Sequence, residues 1–117
     1  MLPAKNRLTR RGDFSNTYRK GKAFYGENIA IKTAKNSLPE TRIGFSVGKK
    51  FSKKAVLRNK ARRKLREAVH FHLKQFKPGF DIVVFLKKRG IMTEKEGLSE
   101  AKEDIIKILK KANLLKD

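Results

Sequence analysis

The run at 80–86, FDIVVFL, limits the fold more than any other stretch of the chain. It is nearly unbroken apolar sequence, rich in β-branched residues, and reads as a central strand buried on both faces. Lys77, Pro78 and Gly79 precede it and stop any helix that comes before. Upstream, residues 41–48, TRIGFSVG, alternate as a strand does. Ile43, Phe45 and Val47 face one way, and Arg42, Gly44, Ser46 and Gly48 face the other. A face of Gly and Ser is low and polar: it is either solvated, or it lets an RNA chain or another backbone come close. Between the two strands lies a long helical stretch. Strand, helix and strand make a crossover, so the strands are expected to be parallel. Crossovers of this kind are right-handed in nearly all sheets.

The crossing helix is expected from a Ser52 N-cap to about Gln75. With Leu57 at zero and about 100° per residue, its apolar positions Leu57, Ala61, Leu65, Ala68, Val69 and Phe76 span roughly 0° to 120°. On the same wheel Arg58, Arg62, Arg66, Asn59 and Arg63 fall at roughly 100°, 140°, 180°, 200° and 240°. Lys60, Lys64 and Glu67 lie elsewhere, at roughly 300°, 340° and 280°. Solubility alone gives no reason to sort arginine from lysine. Arginine is the planar, forked donor suited to phosphate, whereas lysine is a point charge. The arginine face adjoins the apolar stripe, so it stands at the margin of the helix–sheet contact, where a cleft forms.

The rest of the chain supplies two more helices and the remaining strands. Residues 1–8 are basic and extended, with their charges solvated. Thr9 caps a short helix at 10–20 that ends at Gly21. Phe14 and Tyr18, four apart, share a face of it. They are either core residues or a surface on which an unpaired base can stack. Residues 22–36 read as one or two strands with a break at Gly26, and 36–40 as a turn. That turn suggests an antiparallel pair with the strand at 41–48. Lys87, Lys88, Arg89 and Gly90 form a basic loop. Thr93 and Glu96 have capping-box spacing. A last helix at 99–113 aligns Ala101, Ile105, Ile108, Leu109 and Ala112, with Glu100, Glu103, Asp104, Lys107, Lys110 and Lys111 outside. Most acids lie from Glu94 onward, so this end is expected to cover the core and face away from a polyanion.

Charge then narrows the partner. Lys and Arg number 31 against 11 acids, a net charge of +20 over 117 residues. Such self-repulsion favours a polyanionic partner, nucleic acid first. No basic amphipathic terminus suits a membrane, no apolar run reaches transmembrane length, and no signal-peptide core is present. Cysteine is absent, which excludes disulfides, thiolate catalysis and cysteine-held zinc, and fits a reducing cytoplasm. With no repeat or linker, residues 1–117 read as a single domain.

The inventory of reactive groups points to binding. There is no glycine-rich phosphate loop and no Ser/His/Asp grouping. His70 and His72 point in different directions and lack ligands at metal spacing. Asp13 reads as a helix-dipole charge and Asp81 as a residue at a strand entrance. No catalytic residue and no metal site is expected. The candidate interface is Arg58, Asn59, Arg62, Arg63 and Arg66, with Arg7, Arg11, Lys49, Lys50, Lys53 and Lys54 strengthening the field.

The run Arg58-Asn59-Lys60-Ala61-Arg62-Arg63-Lys64-Leu65-Arg66-Glu67 resembles the RNR signature of the protein subunit of bacterial ribonuclease P. Asn6-Arg7-Leu8, Asp13-Phe14, Tyr18, Gly21, the strand from Arg42 with Lys49-Lys50, and Asp81-Ile82-Val83-Val84 resemble that family's other elements, in order. The resemblance implies an α+β fold: a single-domain α-β-β-β-α-β-α sandwich with a mixed four-stranded sheet. Its β-α-β crossover, which carries the RNR helix, would be left-handed, against the general rule. The resemblance implies a cytoplasmic protein that binds a catalytic RNA and precursor tRNA and assists endonucleolytic removal of the 5′ leader. The magnesium ions would be held by the RNA, and no further protein partner is implied. By position Phe14, Tyr18 and Lys32 would line a cleft for the leader; relatives place an aromatic where Lys32 stands, and glycine where Ser52 and Lys53 stand. A small basic ribosomal or assembly protein is the alternative that composition leaves open. A protein-only nuclease would need carboxylates that this chain does not group.

Overall fold

The apolar run at 80–86 becomes the strand about which the other elements are arranged. The computed structural model describes residues 2–26, 29–47, 53–86 and 95–116, by backbone alone over 95–100. The elements are α1 (Arg11–Lys20), β1 (Lys22–Tyr25), β2 (Ile29–Lys35), β3 (Arg42–Ser46), α2 (Ala55–Phe71), β4 (Phe80–Leu86) and α3 (Lys95–Lys111). This is the α-β-β-β-α-β-α order implied by the resemblance.

The four strands form one mixed sheet in the order β1-β2-β4-β3. β4 runs antiparallel to β2 and parallel to β3, so the strands joined by α2 are parallel as expected. The expected pairing across the 36–40 turn is wrong: β4 stands between β2 and β3. The reason is the composition of β4. Asp81, Ile82, Val83 and Val84 are all buried, which an edge strand would not achieve. The hairpin partner of β2 is β1, with Phe24 opposite Ile31.

Cross-strand partners share a face. One face carries Ile31, Ile43, Ile82 and Val84, and α2 and α3 pack on it, α2 over β3 and α3 over β2 and β1. Leu65, Ala68 and Val69 of α2 and Ala101, Ile105, Ile108 and Leu109 of α3 complete that core. The opposite face carries Ala30, Lys32, Gly44, Val83 and Phe85, with α1 lying over β2 and β4.

Local starts and stops depart from the cap patterns. The N-cap of α1 is Arg10, not Thr9, and that of α2 is Lys54; neither makes a side-chain cap bond. Ser52 lies outside the described residues, as do Lys49, Lys50, the loop at 87–90 and Thr93. Gly21 is extended (φ −70°), so left-handed backbone is not why glycine stands there. A Cβ would come within 2.5 Å of the Thr17 carbonyl oxygen and 3.0 Å of that of Thr33. The α-helix α2 ends at Phe71, short of Gln75, and a single 3₁₀ turn, Leu73–Gln75, follows. There His72 turns its ring inward and Nε2 donates to the Lys102 carbonyl at 3.0 Å, tying the end of α2 to α3. His70 is exposed. Leu57 does not join the core: it is 42% exposed, and burial of the stripe begins at Ala61. Asp104, expected outside α3, is buried.

The N-terminal segment is not simply solvated. A 3₁₀ turn at Ala4–Asn6 leads to a parallel bridge between Arg7 and Ile43. The Leu8 amide donates to the Ile43 carbonyl (3.0 Å), and Asn6 Nδ2 donates to that of Thr41 (2.9 Å). Leu2 and Leu8 are buried, while Lys5 and Arg7 stay exposed. The segment thus covers the outer edge of β3, which no other described strand pairs.

These contacts predict two outcomes. Leu65→Ala, at a fully buried position, should lower unfolding free energy by about 2–5 kcal/mol in urea titration. Leu57→Ala should stay within about 0.5 kcal/mol, as for an exposed site. The second outcome concerns pH. Burial pushes the His72 imidazole below its ordinary value of about 6.5, and the Lys102 charge adds to this against the opposing carbonyl bond. Below that pH the unfolded chain binds a proton that the folded chain resists, so stability falls as pH drops through 6.5 toward the folded value. The melting temperature should therefore decline from pH 7.5 to 5.5, and less steeply in His72→Gln.

Candidate nucleic-acid interface

The arginine-bearing side of α2 emerges beside β3. Ala61, Leu65, Ala68 and Val69 anchor the helix, which leaves Asn59 and Arg63 exposed and Arg58, Arg62 and Arg66 half-buried. Two of these side chains are held in place. Arg62 Nη1 donates to Asn59 Oδ1 at 2.7 Å, one turn back along the helix. Arg58 Nη1 donates to the Lys53 carbonyl at 2.9 Å, fastening the helix start. A guanidinium carries five N–H donors, in a fork that matches phosphate. Lys53, Lys54 and Arg11 are exposed, and Arg7 Nε donates to the Leu2 carbonyl at 2.8 Å.

Arg66 joins this row to the far side of the sheet. It lines an open groove of about 410 Å³ together with Leu2, Arg7, Leu8, Thr9, Phe14, Ile43, Gly44 and Phe45. The groove wraps the β3 edge, because Gly44 and Phe45 belong to opposite faces. The low face expected at Gly44 is real, but Phe14 fills it. A Cβ on Gly44 would stand 2.7 Å from the Phe14 ring and 3.1 Å from the Leu8 carbonyl oxygen. Phe14 is thus half-buried on β3 and not a free stacking platform.

Tyr18, one turn on, is 46% exposed. Its ring lies 6.2 Å from that of Phe85, tilted by 54°. Lys32 reaches over it, with Nζ 4.0 Å from the ring centroid and donating to the Tyr18 carbonyl at 2.8 Å. Lys32 therefore sits where the cleft was expected, holding Tyr18 by a cation–π contact and a hydrogen bond. Phe85 is the member that sequence reasoning missed. In an unbroken apolar run, alternation does not tell which residue meets solvent. The register does: Phe85 stands between Ala30 and Ser46, whose small side chains leave its ring half-exposed.

Arg42 belongs to the scaffold. Its Nε and Nη2 grip Asp81 Oδ1 and Oδ2 at 2.8 and 2.7 Å, and Nη1 reaches Asp13 Oδ2 at 3.2 Å. Asn36 Nδ2 adds a bond to Asp81 Oδ1 at 2.9 Å. The Asp81 bonds and the two carboxylate charges raise the Arg42 pKa against the effect of burial. Asp13 and Asp81 are thus both paired with the same guanidinium. Among the described residues, no three of His, Cys, Asp and Glu gather at metal-binding distance. No described helix is long and apolar enough to cross a membrane.

Comparison with known proteins gives a consistent result. A family model described as Ribonuclease P matches residues 2–113. The ribonuclease P protein component of Pseudanabaena sp. is 40% identical over 116 residues, covering 98% of this chain and 97% of that protein. Its counterpart from Finegoldia magna is 36% identical, covering 92% and 90%. Among solved structures, the Staphylococcus aureus RNase P protein superposes with a TM-score of 0.78 at 27% identity, covering 95% of this chain and 98% of that one. The Thermotoga maritima protein gives 0.74 at 29%, covering 90% and 96%.

The contact between Gly44 and Phe14 can be tested by a double-mutant cycle. Gly44→Ala alone should lower stability by about 1–3 kcal/mol, because the new methyl displaces the ring. In a Phe14→Ala background the same change should cost clearly less, and urea denaturation of the four proteins should give a non-additive coupling.

Proposed function

The chain belongs to the ribonuclease P protein component family, and from that premise we propose that it serves as the protein subunit of ribonuclease P. In this reading Arg58, Asn59, Arg62, Arg63 and Arg66 of α2 dock on phosphates of the catalytic RNA. The 5′ leader of precursor tRNA runs as a single strand over the α1 side of the sheet, past Tyr18, Phe85 and Lys32. Endonucleolytic removal of the leader, with its magnesium ions, is the work of the RNA.

One observation carries the proposal. Arg66, at the end of the arginine row, shares a groove with Phe14 and Gly44, so the row reaches around the β3 edge to α1, the helix that carries Tyr18 one turn after Phe14. A polyanion docked on α2 is thereby adjacent to a surface with half-exposed rings. Base–aromatic stacking contributes about 1–3 kcal/mol per base without demanding a sequence. Both acids on this side, Asp13 and Asp81, are ion-paired with Arg42, which offsets one of their two negative charges.

Reconstitution provides the test. Added to a bacterial ribonuclease P RNA at low magnesium, the chain should raise the rate of leader cleavage; an unchanged rate would reject the assignment. Arg62→Glu with Arg66→Glu should weaken binding to that RNA and flatten its salt dependence by about 0.7–0.9 log units per lost phosphate contact. Binding equal to the unaltered chain at matched salt would rule out the arginine row as the docking face.

A further inference from the structure

A second groove, of about 440 Å³, lies at the end of the sheet opposite Phe85, where β1 begins, β2 ends and β4 begins. Lys20, Lys22, Phe24, Thr33, Lys35 and Phe80 line it, and Ala112 and Leu114, beyond the end of α3, close one side. Its volume is within the roughly 300–1,000 Å³ of small-ligand clefts. Register places Lys22, Phe24, Thr33, Lys35 and Phe80 on the α2–α3 face of the sheet, away from Tyr18 and Lys32.

Three features of this groove point to one kind of ligand. The Lys20, Lys22 and Lys35 side chains are exposed, and no acid stands among the described lining residues. Phe24 and Phe80 are half-buried, each leaving part of a ring uncovered. The Thr33 hydroxyl is buried (8% residue exposure) and has no hydrogen-bond partner among the described residues. A buried hydroxyl without a partner is costly, and native structures rarely keep one. Cations around an aromatic wall, with a covered and unpartnered hydroxyl beside it, match a nucleotide: phosphates outside, an unpaired base against the rings, and a base edge on the hydroxyl once the Thr33 side chain turns to uncover it.

We propose that this groove is a second RNA site, which takes one unpaired nucleotide of a single strand on the sheet face opposite the leader surface. The inference rests on the proposed function only for the identity of the polymer as RNA. Thr33 recognises a base edge, and Lys20, Lys22 and Lys35 hold the flanking phosphates.

The test uses the full chain and a short single-stranded oligouridine containing 4-thiouridine. Photocrosslinks mapped by mass spectrometry should fall on Phe24 or Phe80 as well as on the α1 side. Lys20→Ala/Lys22→Ala/Lys35→Ala should abolish the Phe24 and Phe80 crosslinks and flatten the salt dependence by about 0.7 log units per lysine, roughly 2 in all. Lys74→Ala/Lys107→Ala/Lys110→Ala, equal in charge and exposed, should keep them. Thr33→Val, which exchanges the hydroxyl for a methyl group of similar size, should weaken their yield severalfold. Arg62→Glu/Arg66→Glu should leave them in place even though docking of the catalytic RNA fails, which separates this site from the proposed function. Crosslinks confined to the α1 side, equal losses in the two lysine triples, or an unchanged yield in Thr33→Val would each overturn the proposal. Inorganic phosphate that competes as well as the oligonucleotide does would also overturn it, marking a plain anion site.

Discussion

The guanidinium of Arg42 is where this architecture is tied together. It stands at the first residue of β3, grips both carboxylate oxygens of Asp81 at the start of β4, and reaches Asp13 in the first turn of α1. Three elements, 29 and 39 residues apart in sequence, meet on one side chain. The bidentate pair fixes the relative position of the two parallel strands more sharply than a single bond would. The weaker arm to Asp13 sets where α1 lies on the sheet, and so where Phe14 and Tyr18 come down. The pair is also the reason that two acids can stand on a face proposed to meet RNA. A buried ion pair is weak evidence for stability in itself. Its value here is positional: it orients the surface and offsets part of the charge of the two acids.

Packing then separates the molecule's two sides by chemistry. The α2–α3 side carries the aliphatic core, from Ile31 and Ile82 to Leu65 and Ile108. On the α1 side Gly44 lets Phe14 lie close to the backbone, and Ala30 beside Phe85 leaves that ring half-exposed. A chain with +20 net charge has to fold against its own repulsion. On β3 the half-buried cation, Arg42, is given two carboxylates.

Much of this was legible beforehand, for identifiable reasons. An apolar run such as 80–86 has few ways to be satisfied, so its central place and its parallel partner followed directly. The sorting of arginine from lysine on α2 was likewise a matter of angle alone. The failures are those of local reasoning applied to distant choices. The 36–40 turn reports only that the chain reverses, not which strand will lie beside β2. A helical wheel gives Leu57 its direction but not where the neighbouring elements stop, and it places Asp104 only about 40° from Ile108, near enough to be covered. Thr9 had cap chemistry, yet Arg10 took the place with no side-chain bond. The Arg42 pairs and the exposure of Phe85 depend on register between strands, which no window of sequence contains.

The insertion of β4 between β2 and β3 also bears on time. Neither strand can find its final neighbour until residue 80 and those after it exist, because the neighbour they share is made later than both. The N-terminal segment waits as well, since its place on Ile43 has meaning only once β3 is docked. During synthesis, therefore, the β1–β2 hairpin and the helices α1 and α2 can form early, while β3 can join the sheet only after β4 exists. Non-local pairings of this kind slow folding. For a strongly cationic chain, that interval is also one in which a nearby polyanion can meet it before its surface is complete.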